Sequence, residues 1–219
     1  MPGLSDVYRE LTPAERGRHI PGQIFWIPAY ISMSDYYVVR IGYWDRHTPI
    51  STARFRIEKK TLAKLHEDSD LYDHMPIPEL KLRADEELVV KKVKRRPAVL
   101  VLREGLNPRQ VATHATGIGH KPNPNTHVFA PVVSLRKEEN LGSDYPPAFV
   151  ERVANGSLPE FLHLPAEGTV IRNESMALLT HLQSHAAAVV EETKLCLQPL
   201  YFGAALETFW QDLEGQILQ

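Results

Sequence analysis

The chain has 219 residues, with 25 Lys+Arg against 27 Asp+Glu and a formal charge of −2. A composition of 43% hydrophobic and 24% charged residues excludes global disorder. No apolar run reaches the roughly 18 residues of a transmembrane helix. The near-neutral balance gives no strong overall field for nucleic acid, so a polyanion partner needs a local patch.

At roughly 150 residues per domain, the length fits about one and a half domains, or one domain with a large insertion. The polar N-terminus, Met1 to Arg18, has no apolar signal core. The lone cysteine, Cys196, reads as a small buried hydrophobe and can form neither an internal disulfide nor a cysteine zinc site. A reducing cytoplasm is the expected compartment. Seventeen prolines against twelve glycines predict many interrupted elements.

The first twenty residues carry helix signals. Ser5 caps a turn towards Leu11, and Thr12-Pro13-Ala14-Glu15 combines a cap, a proline at the first position and an acidic first turn. Gly22 to Pro28 predicts a short apolar strand. Residues 36–44 and 52–57 are rich in β-formers, and Asp45 to Pro49 reads as the turn of a hairpin. In 52–57, Ala53, Phe55 and Ile57 share one face and Thr52, Arg54 and Arg56 the other. Glu58 to Glu67 is predicted as a helix, the stretch around Met75-Pro76-Ile77-Pro78 as a loop, and Leu88 to Val90 as a strand. Pro97 to Leu102 fits a buried strand. Asn107-Pro108 opens a short helix or turn. Val128 to Val133 predicts a strand, with Pro131 suggesting an edge or bulge. Pro146 to Ala154 predicts a helix stopped by Asn155-Gly156. Phe161 to Leu164 and Ser175 to Leu182 are further strands. Leu206, Phe209, Trp210, Leu213 and Ile217 recur at helical spacing. Scattered short strands with a closing helix argue for an all-β or α+β barrel, not a βαβ array.

Standard chemistry motifs are few. Gly117-Ile118-Gly119 lacks the third glycine of a dinucleotide fingerprint, and neither a phosphate-binding loop nor a nucleophile elbow is present. His181 and His185 stand four apart without the glutamate of a zincin motif, so no metal is expected. His114, His120 and His127 read as polar loop residues. Asn155 and Asn173 begin glycosylation patterns, which count for nothing without a signal peptide. In the basic run from Lys91 to Arg96, strand alternation puts Lys92, Lys94 and Arg96 on one face. That face is either a polyanion groove or a solvated strand edge.

Five pieces in order resemble the PemK/MazF-type toxins of bacterial type II toxin–antitoxin systems. They are Gly22-Gln23-Ile24-Phe25-Trp26-Ile27-Pro28, Arg95-Arg96-Pro97-Ala98-Val99-Leu100-Val101, Val128-Phe129-Ala130-Pro131-Val132-Val133-Ser134, His163-Leu164-Pro165-Ala166-Glu167-Gly168 and Ser175-Met176-Ala177-Leu178-Leu179. A final helix follows. The matching pieces cover about half the chain.

The resemblance implies a mainly β (α+β) chain with an SH3-like β-barrel, peripheral helices and a C-terminal helix, commonly a homodimer. The expected domain is 1–219, with a helical extension 1–20 and an insertion 31–90. It implies a metal-independent endoribonuclease acting on single-stranded RNA, held in check by an antitoxin protein; no cofactor and no membrane partner are expected. Arg96 falls on the family's active-site arginine and Ser134 on its active-site threonine or serine. A guanidinium donates two parallel hydrogen bonds to phosphoryl oxygens, and a hydroxyl adds a third.

Two departures stand out. Thr180-His181-Leu182-Gln183 replaces the family's glutamine with His181 and its arginine with Gln183. His181 is therefore the expected acid–base partner. The insertion 31–90 stands where the family has a short loop, and it brings Arg54 and Arg56 as RNA-binding candidates beside Lys92, Lys94 and Arg95. The alternative is a noncatalytic SH3-like module that binds protein or nucleic acid. A third option is an assembly protein that merely shares the barrel.

Overall fold

The computed structural model describes residues 3–30, 35–43, 45, 47–48, 52–61, 89–90, 93–103, 126–135 and 145–217. The chain divides into two compact units, Met1–Ala29 with Lys94–Gln219, and Tyr30–Val93. The second nearly coincides with the expected insertion 31–90.

The first unit is mainly β with a few helices. In chain order it contains α1 (Leu4–Val7), β1 (Tyr8–Glu10) and β2 (Gln23–Ala29). In the second unit follow β3 (Asp35–Tyr43), β4 (Arg54–Thr61) and β5 (Val89–Val90). The first unit resumes with β6 (Lys94–Leu102), β7 (Thr126–Ser134), α2 (Pro147–Ala154) and β8 (Phe161–Leu164). It ends with β9 (Ser175–Leu178), β10 (Gln183–Ala186), β11 (Glu191–Leu197) and α3 (Pro199–Ile217). Its antiparallel sheet runs β1-β11-β2-β6-β7-β9-β8, with β10 also paired to β7. Among the described residues this ladder is open, ending at β1 and β8.

The central strands are apolar on both faces, which explains why they read as continuous apolar runs. One face places Ile24, Val99, Val101, Ala130 and Val132 under Phe202 and Phe209 of α3. The other clusters Phe25, Ile27, Ala29, Ala98, Leu100 and Phe129. The periodic stripe of the last helix therefore covers its own sheet, and burying an aromatic such as Phe209 stabilises by about 1.5–3 kcal/mol. Trp210 stays 47% exposed and Leu200 90% exposed.

β7 corrects the reading of Pro131 as an edge signal. One edge of β7 pairs β6; the other pairs β10 over Thr126 to Phe129 and β9 over Val132 to Ser134. On that second edge Pro131 falls between the two ladders, where a missing N–H breaks no ladder bond. β9 likewise ends before Leu182, because the chain turns there to lay β10 along β7; the His181 N–H donates to the Leu178 carbonyl at 3.2 Å.

The expected helical extension 1–20 is helical only over Leu4–Val7. Tyr8, Arg9 and Glu10 pair with Leu197, Cys196 and Leu195 instead. Thr12 to Glu15 forms a turn, in which Glu15 accepts from the Thr12 N–H and hydroxyl and from both terminal nitrogens of Arg9. Sheet pairing and this ion pair outweigh the local capping signal. Helix α2 matches its expected bounds, and Gly156 follows it at φ 75°, the left-handed conformation that suits glycine.

In the second unit the strand order is β4-β3-β5. The expected hairpin is present, with the His47 N–H donating to Asp45 Oδ1 at 3.0 Å in its turn. The helix expected from Glu58 is corrected: Glu58 to Thr61 continue β4, paired with Val38 to Asp35. The cross-strand ladder outweighs a weak local pattern. The rest of that helix, the loop around Met75, Asn107-Pro108, Gly117 to Gly119, His114 and His120 lie outside the described residues.

Candidate functional site

Arg96 sits in β6, opposite Ile27 of β2, and is half-buried. Among the described residues it has no ion-pair partner. Lys94 is exposed on the same face, two residues back, and Lys92 lies outside the described residues. Arg95 points the other way. Its guanidinium stacks 4.4 Å from the Trp26 ring and pairs with Glu191, so its charge is already engaged.

Ser134 is exposed at the end of β7, opposite Ser175. The register sets Ala98 against Pro131. Side chains alternate along a strand, so Arg96 shares the Ala98–Pro131 face, and Ser134, three residues past Pro131, takes the other. The sheet thus directs the two expected site residues to opposite faces. His181 is exposed in the turn after β9, its Nδ1 3.1 Å from Thr180 Oγ1. Arg54 and Arg56 are exposed on β4 in the second unit.

The sheet builds a different constellation on the Arg96 face. His19 Nε2 lies 2.6 Å from Glu192 Oε1, and His19 Nδ1 lies 2.7 Å from His127 Nε2. His127, expected in a loop, belongs to β7 and is 4% exposed. It stands opposite His185 of β10, whose Nε2 is 3.4 Å from Gln183 Oε1. The parity is consistent throughout: Glu192 pairs Phe25, Phe25 pairs Ala98, and Leu100 pairs Phe129, which pairs Gln183. The His19 ring meets Phe25 edge-on at 5.2 Å and His127 at 4.9 Å. Phe25 is one ladder step of two residues, about 7 Å, from the Ile27–Arg96 pair.

Proton positions follow from the partners. A carboxylate only accepts, so His19 Nε2 carries a proton. In the neutral pair, His19 Nδ1 then accepts from His127 Nε2–H. His19 holds φ at +49°, a conformation that costs most L residues energy but is enriched in histidine. Burial lowers the proton affinity of His185 below that of a free imidazole. Burial likewise pushes the Cys196 thiol up to about 11, which makes it a poor nucleophile.

Comparison with protein-family models, with curated proteins and with solved structures gave no match. Geometry therefore carries the functional argument. Among the described residues, no group of three or more His, Cys, Asp or Glu is arranged to hold a metal ion. No helix among them is long and apolar enough to cross a membrane. A cleft of about 280 Å³ lies between α3 and the loop after α2, with Phe161, His163 and Tyr201 in its lining. His163 there is tied to Glu174 at 3.1 Å, and its carbonyl accepts from the Tyr201 hydroxyl.

The sequence reading missed His19, Glu192 and the buried pair His127–His185. His127 did carry a signal: it continues the β7 alternation by two residues from Phe129. His19 and Glu192 carried none, because their meeting depends on β2 bringing the N-terminal turn beside β11.

Proposed function

We propose that this chain is a metal-independent endoribonuclease acting on single-stranded RNA, built on an SH3-like barrel of the PemK/MazF type. The observation that carries the reading is one shared face: Arg96 stands one ladder step from Phe25, on which the Glu192–His19–His127 chain packs. Support for the fold comes from the order of the five resembling pieces, each on or beside β2, β6, β7, β8 or β9, followed by a closing helix. The division of one β7 edge between β10 and β9 is the kind of strand sharing that curls a sheet towards closure.

Cleavage needs three things. The ribose 2′-oxygen attacks phosphorus, its proton goes to a base, and the departing 5′-oxygen gains a proton, leaving a cyclic phosphate. Arg96 is suited to hold the phosphoryl oxygens, where negative charge gathers. The histidine chain offers imidazole nitrogens that can accept and donate a proton. In this reading Ser134 and His181 are displaced from the catalytic role by the histidine chain. A homodimer and an antitoxin-type protein partner remain part of the proposal.

The test is incubation of the purified chain with long single-stranded RNA in chelator, with analysis of product ends. Cyclic phosphate ends, lost in Arg96→Ala, are the expected result. Absence of cleavage from the folded chain overturns the reading. A noncatalytic binding module is the second reading; the opposite facing of Arg96 and Ser134 favours it, and saturable RNA binding without turnover is its signature.

A further inference from the structure

We propose that the cleft between α2 and α3 binds an adenine-type base, a planar ring with an amino group beside a ring nitrogen. The free edge of β8, the last strand of the sheet, carries the argument. The Leu179 N–H donates to the Glu160 carbonyl at 3.0 Å, and the ladder continues through Leu162 with Ala177 and Leu164 with Ser175. Hydrogen-bonded pairs alternate along an antiparallel ladder, so Leu162 and Leu164 direct their backbone groups to β9. Phe161 and His163 therefore direct theirs outward. The outward His163 carbonyl accepts from the Tyr201 hydroxyl at 2.6 Å, and the outward Phe161 N–H donates to the Leu158 carbonyl at 3.0 Å. One acceptor and one donor remain on this edge, the Phe161 carbonyl and the His163 N–H. Neither has a partner among the described residues, although His163 is only 8% exposed. Both residues line the cleft. Buried backbone groups are normally paired, so an open acceptor beside an open donor in a cleft points to a ligand.

The surroundings select the ligand. An added strand needs a run of open backbone groups, and here Leu158 and Tyr201 close the edge at both ends. A carbonyl followed two residues later by an N–H suits one flat group that carries a donor next to an acceptor. Adenine is such a group: its amino N–H donates to the Phe161 carbonyl while its ring nitrogen accepts from the His163 N–H. Side chains alternate across β8. The Phe161 face meets α2, where Phe149 lies edge-on to Phe161 at 5.5 Å, and Leu162 belongs to the core beneath α3. The cleft opens between these two layers, so a ring level with the strand edge lies between apolar walls. Val153 and Leu158 form one wall, and Ala204 and Ala205 of α3 the other. At about 280 Å³ the cleft sits at the lower end of the roughly 300–1,000 Å³ of small-ligand pockets, which suits a base. Uracil and cytosine would leave a second carbonyl, and guanine an amino group, unpaired against those walls. The site uses no residue of the ribonuclease reading, and the two stand or fall separately.

The experiment is nitrogen-15 NMR of the labelled full chain, titrated with adenosine and, separately, with oligoadenylate. The His163 amide proton is expected to move downfield and to saturate. A response to adenosine assigns a free nucleoside or nucleotide as the source of the base; a response to oligoadenylate alone assigns a base within RNA. Analogues of the responding probe then test each hydrogen bond. N6,N6-dimethyladenosine lacks the amino protons, and 1-deazaadenosine replaces the ring nitrogen with C–H. Each is expected to weaken binding about 10-fold, the scale of one hydrogen bond lost in a buried site. Uridine and guanosine are expected to bind more weakly than adenosine by a similar factor. Ala204→Leu, at an exposed position on the α3 wall, is expected to fill the cleft and to weaken binding at least 10-fold with the melting temperature unchanged. No saturable shift of the His163 amide with either probe overturns the proposal. Binding undiminished by the loss of the amino protons or of the ring nitrogen, or undiminished in Ala204→Leu, overturns it as well.

Discussion

His19 and Glu192 lie 173 positions apart in sequence and meet with Nε2 2.6 Å from Oε1. The same carboxylate, through Oε2, accepts from the Gly17 N–H at 3.2 Å. One side chain of β11 thereby fastens the turn that presents His19 to the sheet, and it fixes which His19 nitrogen bears the proton. Backbone conformation and side-chain bonding at His19 act against each other, and this opposition is measurable.

His19→Ala removes both hydrogen bonds while keeping a residue with a Cβ in the left-handed region. A loss of about 2 kcal/mol is expected from urea unfolding. His19→Gly removes the same bonds but relieves the backbone, so it should lose about 1 kcal/mol less. Equal losses in the two variants would mean that φ at this position stores no strain.

Arg96→Ala should reduce RNA cleavage at least 100-fold, the scale of losing a donor to developing oxyanion charge. Its half-buried side chain has no ion-pair partner among the described residues, so stability should change by less than about 1 kcal/mol. Thermal melting read beside product analysis separates loss of chemistry from loss of fold.

His185 makes stability depend on pH in a definite direction. Burial holds its folded proton affinity below the ordinary value of 6.5, so the unfolded chain binds a proton first as pH falls. Its contribution is fully present above about pH 6.5 and is lost as pH falls from there through the folded value. Urea midpoints from pH 8 to pH 5 should fall more steeply in the wild type than in His185→Gln. Parallel curves would refute the role of burial.

Glu15 gives a second, more acidic window. Its hydrogen bonds with Arg9 and with the Thr12 N–H and hydroxyl lower its carboxyl from 4.5 to about 2. The contribution is present above about pH 4.5 and is lost as pH falls towards 2. Glu15→Gln should flatten acid unfolding in that window. The exposed site makes the effect small and weaker in salt.

Phe209→Ala should cost about 3–5 kcal/mol, because the ring is buried in the core beneath α3. Leu200→Ala, at a residue 90% exposed on the same helix, should stay within about 0.5 kcal/mol. A large loss at Leu200, measured at several protein concentrations, would instead reveal a surface covered by a second copy.

The strands were legible where apolar runs met clear punctuation. Gly22 and Pro28 bracket most of β2, and Asn155-Gly156 stops α2 at the expected residue. The helix expected at Glu58 failed because its few leucines gave a weak local pattern, and pairing with Val38 to Asp35 decided the matter. Thr12 to Glu15 shows the same competition: a good capping signal became a turn once Arg9 and β11 claimed the neighbouring chain. For the site, Arg96 was legible from its strand context. Ser134 was equally legible as a residue, but its facing was not, since three steps along β7 from Pro131 invert the side.

The sequence by itself determined the mainly β class, the punctuation of the central strands, the amphipathic last helix and the lone buried cysteine. These follow from periodicity, turn chemistry and composition, which act over a few residues. Only the tertiary structure decided that His19, His127 and Glu192 form one hydrogen-bonded line, and that Arg96 shares their face while Ser134 does not. Those relations depend on strand register and order, which are set by pairing between segments more than a hundred residues apart.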